Sequence, residues 1–409
     1  MKILQISHRH HIAGGSDAVF FATSELLESL GHQVLRFCMD DPQNLPHALS
    51  GYFPRGADTA NPAARDAVRY FWNREAAQRL KALLRDHGPI DLAHLHIYHG
   101  KMTPAILPVL RQANIPVVHT LHEYKLACPV YTMERDGKVC SDCADGTVLS
   151  AVKHRCKDGS AIRSLVMATE FLTARALGDV RHVDKFICVS DFQRRVLKKS
   201  RLPEDKLATL HNFVDTDIFY PAEAPGDALL YFGRIEKLKG VETMIRAVAQ
   251  TGQKLHIIGD GHWVEPMREM IDGLENVRYL GFQSGAALRR MIARAKAVIV
   301  PSEWYENCPM SVLEAKASGV PVIGANIGGI PELVQHEQDG LLFSAGNVAA
   351  LATALCRLEQ LDLPRLGKTA RKNALERFSR RAHAKNLLDL YSQAEGMAFT
   401  RRPPKCLRG

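Results

Sequence analysis

Pro301-Ser-Glu-Trp-Tyr-Glu306-Asn-Cys-Pro-Met310-Ser-Val-Leu-Glu314-Ala-Lys-Ala-Ser-Gly319-Val-Pro321-Val-Ile is the stretch whose pattern decides the fold class. The apolar run Ala297–Val300 ahead of it reads as a short buried strand. A polar loop follows, then a helix expected to begin near Ser311, a stop at Gly319, and a second apolar run to Ile323. Strand, loop, helix, strand is the unit of a parallel sheet covered by helices on both faces. Glu306 falls in the loop and Glu314 on the expected first turn. Backbone N–H groups around Cys308–Met310 point out of the helix start and suit an anion, and a carboxylate suits a vicinal diol. Either Glu alone reads equally well as a solvated loop residue or a partner of the helix dipole. The pair at this spacing points to a ligand.

The same unit recurs in both directions. Strands are expected at Lys2–Ser7, Gln33–Cys38, Leu92–Ile97, Pro116–Leu121 and Lys185–Val189, and again at Ala228–Phe232, Lys254–Ile258 and Val277–Leu280. Ser16 is the expected N-cap of the helix after the first strand, and Gly31 its stop. The chain is therefore read as α/β: two Rossmann-like, doubly wound domains facing a cleft. They meet near residues 205–225, where Pro203 and the Pro221–Pro225 region read as a linker. The expected divisions are 1–205, with a loop at 125–160, then 206–380, then 381–409. In such sheets ligands sit beyond the carboxyl ends of the strands, so the loops after Ser7, Thr120, Gly233, Gly259 and Pro301 are the functional candidates. Residues 40–65, like 125–160, lack periodicity and read as loop or insertion.

Composition excludes several classes. The 409 residues are 46% apolar and 24% charged, the balance of a globular protein, and no apolar run reaches membrane-spanning length. The start, MKILQISHRHH, lacks the apolar stretch and cleavage site of a signal peptide, so a cytoplasmic location is expected. The net charge of +9 is concentrated: residues 150–201 hold twelve Lys/Arg against five Asp/Glu, and the tail adds Arg401, Arg402, Lys405 and Arg408. Such a surface attracts phosphates or anionic lipid, or simply solvates a helix face. No aromatic-interleaved basic motif points to nucleic acid.

Arg234 and Lys239 flank the start of an expected helix, where a cation opposes the helix dipole unless an anion lies between. Two fixed cations over a departing diphosphate lower the barrier where charge develops, without a metal. No Asp pair is placed to hold a divalent cation. The nine cysteines include a cluster, Cys128, Cys140, Cys143 and Cys156, whose central C-x2-C spacing fits a structural zinc. Two disulfides or free thiols are the alternatives. Of His8, His10 and His11, two are expected to be loop residues and one to line a site. His119, inside a strand, is either core or functional.

The Glu306–Glu314 stretch resembles the E-x7-E signature of glycosyltransferase family 4, retaining enzymes of the GT-B fold. Other landmarks are similar and in order: Gly233-Arg234-Ile-Glu-Lys-Leu-Lys239-Gly240, Ile258-Gly259-Asp260-Gly261, Leu280-Gly281-Phe282, Gly328-Gly329-Ile-Pro-Glu332, and Gly14-Gly15 followed by a helix. One departure is Asn307-Cys308-Pro309, where many members carry Gly-Phe-Gly. The resemblance implies an acceptor-binding first domain reached past Gly14 and Gly15. It implies a second domain that holds a UDP- or GDP-sugar, and a C-terminal helix that crosses back to the first domain. It assigns the nucleobase to Gly281 and Phe282, places Gly261 in a second glycine loop of the donor site, and assigns the ribose to Glu314 and the diphosphate to Arg234 and Lys239. Glu306 with Asn307, Cys308, Pro309 and Met310 would take the sugar hydroxyls, and His122 would face the sugar. No catalytic cofactor is implied. The implied acceptor is a glycan or a lipid-linked molecule in surface polysaccharide assembly, and Ile162–Leu177, apolar and basic by turns, is read as a segment that rests on an anionic membrane, which would place the protein, as a peripheral one, at the inner face of the plasma membrane. A nucleotide-sugar 2-epimerase of the same fold, a pyridoxal-phosphate phosphorylase and a non-catalytic scaffold are the rival classes.

Overall fold

The computed structural model describes residues 1–57 and 64–400; the basic tail from Arg401 lies outside them. Two six-stranded parallel sheets form the molecule. The first comprises β1 (Lys2–Ile6), β2 (Gln33–Phe37), β3 (Leu92–Leu95), β4 (Val117–Leu121), β5 (Lys185–Cys188) and β6 (Leu207–Thr209), in the order β2-β1-β3-β4-β5-β6. The second comprises β7 (Leu229–Phe232), β8 (Leu255–Ile258), β9 (Val277–Tyr279), β10 (Val298–Val300), β11 (Val322–Ala325) and β12 (Gly340–Phe343), in the order β9-β8-β7-β10-β11-β12. Central strands such as β4, β7, β10 and β11 are buried along their whole length, as continuous apolar runs require when helices cover both faces. This is the two-domain α/β architecture expected.

Two strands escaped the sequence reading. β6 lies inside the expected linker at 205–225, so the first sheet runs past residue 205, and β12 is not among the expected strands. The helix after β1 spans Gly15–Ser29 with Gly14 as N-cap and no side-chain cap, so Ser16 is inside the helix rather than capping it. The loop at 125–160 holds a small hairpin, Glu134–Arg135 with Lys138–Val139, and two one-turn helices.

The C-terminal helix Arg380–Thr400 leaves the second domain and lies under the first sheet. Its Leu387, Leu390, Tyr391 and Ala394 share a core with Ile3, Leu92, Val118 and Ile187.

Candidate active site in the interdomain cleft

In the second sheet the strand order reverses between β7 and β10, and the crevice beyond such a switch point is where ligands settle in open α/β sheets. The loop leaving β7 carries Arg234 and Lys239; the loop leaving β10 carries Glu306. Topology thus joins residues far apart in sequence: Lys239 Nζ donates to Glu306 Oε1 at 2.6 Å, and Ser302 Oγ donates to the same oxygen at 2.7 Å. Burial alone would push the Glu306 carboxyl up, but the Lys239 ammonium and these hydrogen bonds outweigh it and hold it below its usual range. Lys239 Nζ also lies 4.8 Å from the Trp304 ring centre, with the Arg234 guanidinium 5.9 Å from the same ring. Arg234 is mostly exposed and donates to Glu236.

Close backbone approach makes this geometry possible. Gly240 has φ +71°, and a Cβ there would stand 1.9 Å from the Pro301 carbonyl oxygen, so only glycine lets the two loops touch. At β8, Cβ atoms on Gly259 and Gly261 would collide with the carbonyls of Gly233 and Ile235. Gly281 and the exposed Phe282 continue this rim.

Two helices start at the crevice without a side-chain cap, Val241–Thr251 after Gly240 and Met310–Ala317 after Pro309. Their first-turn N–H groups are donors awaiting an acceptor. Because Pro309 is the N-cap, Glu314 falls in the second turn, not the first as expected. Among the described residues its carboxylate has no hydrogen-bond or ion-pair partner, and burial pushes it up to about 7. Two residues on, Lys316 is fully buried and donates to Asp339, Asn373 and the Leu333 carbonyl, pinning this helix to its neighbours.

The first domain supplies the facing wall. Asn307 Nδ2 donates to the His122 carbonyl at 3.0 Å, and its own Oδ1 is buried without a partner. A Cβ on Gly15 would lie 4.0 Å from Met310 Cγ, so the Gly14-Gly15 loop meets the Met310 helix across the cleft. Cys308 is buried, its carbonyl accepting from Asn212. Glu332 accepts from the backbone N–H groups of Asp191 and Phe192, joining the Gly328-Gly329 turn to the first domain.

Behind His122 runs a chain of neutral side chains with no sequence motif to announce it. His122 Nε2 and His96 Nδ1 are 2.8 Å apart, and His96 Nε2 is 2.8 Å from Gln5 Oε1. Since an amide oxygen only accepts, His96 Nε2 carries the proton and its Nδ1 accepts from His122 Nε2. The His122 Nδ1 lone pair is thereby left for the cleft. Gln5 also reaches His94, which bonds Tyr391 and Thr120 at 2.7 Å each. Burial pulls His122 down to about 4 and His96 well below its ordinary value. His8 also borders His122 and is lowered to about 3, by burial first and then by Arg9. His10 is a core residue, its ring packed at tilted and edge-on angles against Phe21, His47 and Phe53, and His119 is buried in the sheet. Glu123, not singled out from sequence, is raised to about 7 by burial.

The described cysteines are free thiols. Cys128, Cys140, Cys143 and Cys156 line one cavity of about 20 Å³, and burial pushes the Cys143 thiol up to about 12. As they stand they do not form a ligand set: among the described residues no three His, Cys, Asp or Glu side chains are placed to hold a metal ion.

Comparison with known proteins follows this geometry. Residues 13–218 match the model of Glycosyltransferase Family 4, and residues 221–377 match that of Glycosyl transferases group 1. The chain belongs to glycosyltransferase family 4. Within the family it is 29% identical over 230 residues to the putative colanic acid biosynthesis glycosyltransferase WcaL of Escherichia coli, covering 51% of this chain and 57% of that protein. The chain spans little more than half the length of the curated relatives it matches. Two solved structures share its GT-B architecture. Sucrose-phosphate synthase from Thermosynechococcus elongatus superposes with a TM-score of 0.70 at 22% identity, covering 96% of this chain and 98% of that one. Anabaena HepE in complex with UDP-glucose superposes with a TM-score of 0.66 at 19% identity, covering 96% and 99%.

Proposed function

We propose that this chain transfers a sugar from a UDP- or GDP-sugar to a hydroxyl of a glycan or lipid-linked acceptor, with retention at the anomeric carbon and without a catalytic metal. The observation that carries the reading is the convergence, at one switch point, of Arg234, Lys239 and two uncapped helix N-termini. That assembly suits a diphosphate, and Glu314, a partnerless carboxylate beyond it, suits a ribose diol. HepE, solved with UDP-glucose, supports a nucleotide-sugar donor, and WcaL supports a role in polysaccharide assembly.

In this reading Glu306 and Asn307 through Met310 hold the sugar hydroxyls, and His122 Nδ1 accepts from one of them. The anomeric carbon–phosphate oxygen bond breaks as Arg234, Lys239 and the helix starts take up the growing negative charge. The acceptor hydroxyl, entering past Gly14-Gly15, bonds the same carbon from the leaving-group face, and its proton passes to the departing phosphate oxygen. In this reading Glu306 positions the sugar and is no nucleophile; its Oε1 already accepts from Lys239 and Ser302.

The test is a panel of UDP- and GDP-sugars screened for thermal stabilisation, followed by NMR of products with and without acceptor. A new glycosidic linkage that needs the acceptor supports transfer; an epimerised donor formed without one replaces it with the epimerase. Arg234→Ala should cost about 10²–10³ in turnover, and near-normal turnover removes the clamp. Structural zinc on the four thiols rests on their shared cavity and C-x2-C spacing alone. About one zinc per purified chain supports it, and less than about 0.2 ends it.

A further inference from the structure

The helix Ala161–Leu177 is turned inside out. Ile162, Leu165, Val166 and Leu172 are 77%, 51%, 41% and 50% exposed, whereas Ser164 and Glu170 face inward. Positions 162, 165, 166, 169 and 172 share one stripe of a helix, so the large apolar side chains form a continuous outward band. A helix on an ordinary solvated surface shows the opposite polarity. Val68, on the helix packed alongside, and Leu149, just ahead of the adjoining short helix, extend the apolar surface.

The charge beside this band is mainly basic. From Ser150 to Thr169 the basic residues are Lys153, Arg155, Lys157 and Arg163, and the single acid is Asp158, held between Lys157 and Arg163. Glu170, the only acid in the helix, is spent inside on Lys125 at 2.5 Å. An apolar stripe with a basic rim is the chemistry of a helix lying in the headgroup layer of an anionic bilayer. Among the described residues no helix is long and apolar enough to cross a membrane, so the contact is with the surface.

The inner face of this helix abuts the cleft. Lys125, which Glu170 holds, lies three residues past His122, and Arg175 donates to the Leu126 carbonyl at 3.0 Å. We infer that the outward face of Ala161–Leu177 docks the first domain on an anionic lipid surface and brings the acceptor side of the cleft to the headgroups, where a lipid-borne acceptor would be met.

The experiment is co-sedimentation of the full chain with vesicles of phosphatidylcholine alone and of phosphatidylcholine mixed with phosphatidylglycerol, at low and high salt. Binding should require the anionic lipid and weaken with salt. Ile162→Ser/Leu165→Ser should lower partition at least about tenfold with the thermal midpoint unchanged, because both side chains are exposed. Arg155→Gln/Arg163→Gln should lose the preference for anionic vesicles. Equal binding to both vesicle types, no binding, or binding unaffected by the serine variant overturns the proposal. So does a concentration-dependent dimer that the serine variant abolishes, which would assign the face to a second copy. No sugar is present in the assay, so its failure leaves the proposed transfer reaction standing, and the converse holds.

Discussion

Lys239→Met should destabilise the second domain severely, through Glu306 rather than through Lys239 itself. Glu306 is 8% exposed, and its Oε1 accepts from Lys239 at 2.6 Å and Ser302 at 2.7 Å. Deleting the ammonium strands a buried carboxylate with one neutral donor, and breaking a buried pair from one side costs about 3–5 kcal/mol. For a domain of this size each kcal/mol moves the midpoint by about 2–4 °C, so a fall of about 6–20 °C is expected. The loss must depend on pH in one direction. Glu306 is held below its ordinary value, so the stabilisation by Lys239 is present above the normal carboxylate range and disappears as pH falls through the lowered value. The gap between wild type and variant should therefore be widest near neutrality and close on acidification. Glu306→Gln added to Lys239→Met removes the stranded charge and should recover most of the midpoint. The assay is scanning fluorimetry of the wild type, the single variant and the double variant across pH. A single variant as stable as wild type, or a double variant no better than the single, would refute the argument that this pair is buried and coupled.

Donor affinity should rise as pH passes about 7, because Glu314 must ionise to accept from a ribose diol and burial has raised it to that region; calorimetric titration should show Glu314→Gln binding weakly and without that step. The first domain should be labile to acid. His8 and His119 are lowered to about 3 and His122 and His383 to about 4, mainly by burial, so the unfolded chain binds more protons than the folded one below about 6.5. Each such group removes up to about 1.4 kcal/mol per pH unit down to its own folded value, and circular dichroism should record cooperative loss of structure on acidification well before carboxylates titrate. Nitrogen NMR of His122 should find the proton on Nε2; Gln5→Leu frees His96 to change tautomer, and should reduce turnover with donor affinity nearly unchanged, whereas an unaltered His122 signal would break the link.

The parallel sheets were legible because buried strands such as Val298–Val300 and Leu229–Phe232 are compact apolar runs between helix signals. Leu207–Thr209 and Gly340–Phe343 were missed for the converse reason. The first is three residues with a polar end, and the second hides among Glu337, Gln338 and Asp339. The loops that carry the site were named correctly as loops, but the Lys239–Glu306 pair depends on β7 lying next to β10, a tertiary fact that no local pattern contains. Gln5 pairs with His94 across two adjacent strands, and His96 follows two residues on, just past the strand end, so their contact is set by register. Sequence showed that Ile162–Leu177 mixes apolar and basic residues; only packing reveals that the apolar ones face outward.

The return of Arg380–Thr400 to the first sheet has a consequence for synthesis on the ribosome. Ile3, Leu92, Val118 and Ile187 emerge early, yet the side chains that cover them, Leu387, Leu390 and Tyr391, emerge only after the whole second domain. The nascent first domain must therefore wait with one face bare, held soluble by chaperones or by its own helices, while its neighbour folds. Tyr391 also closes the far end of the His94–Gln5–His96–His122 chain. The wall that the first domain presents to the cleft is thus completed only by a helix made after the second domain, so translation halted between the two yields a first domain with one face of its sheet uncovered.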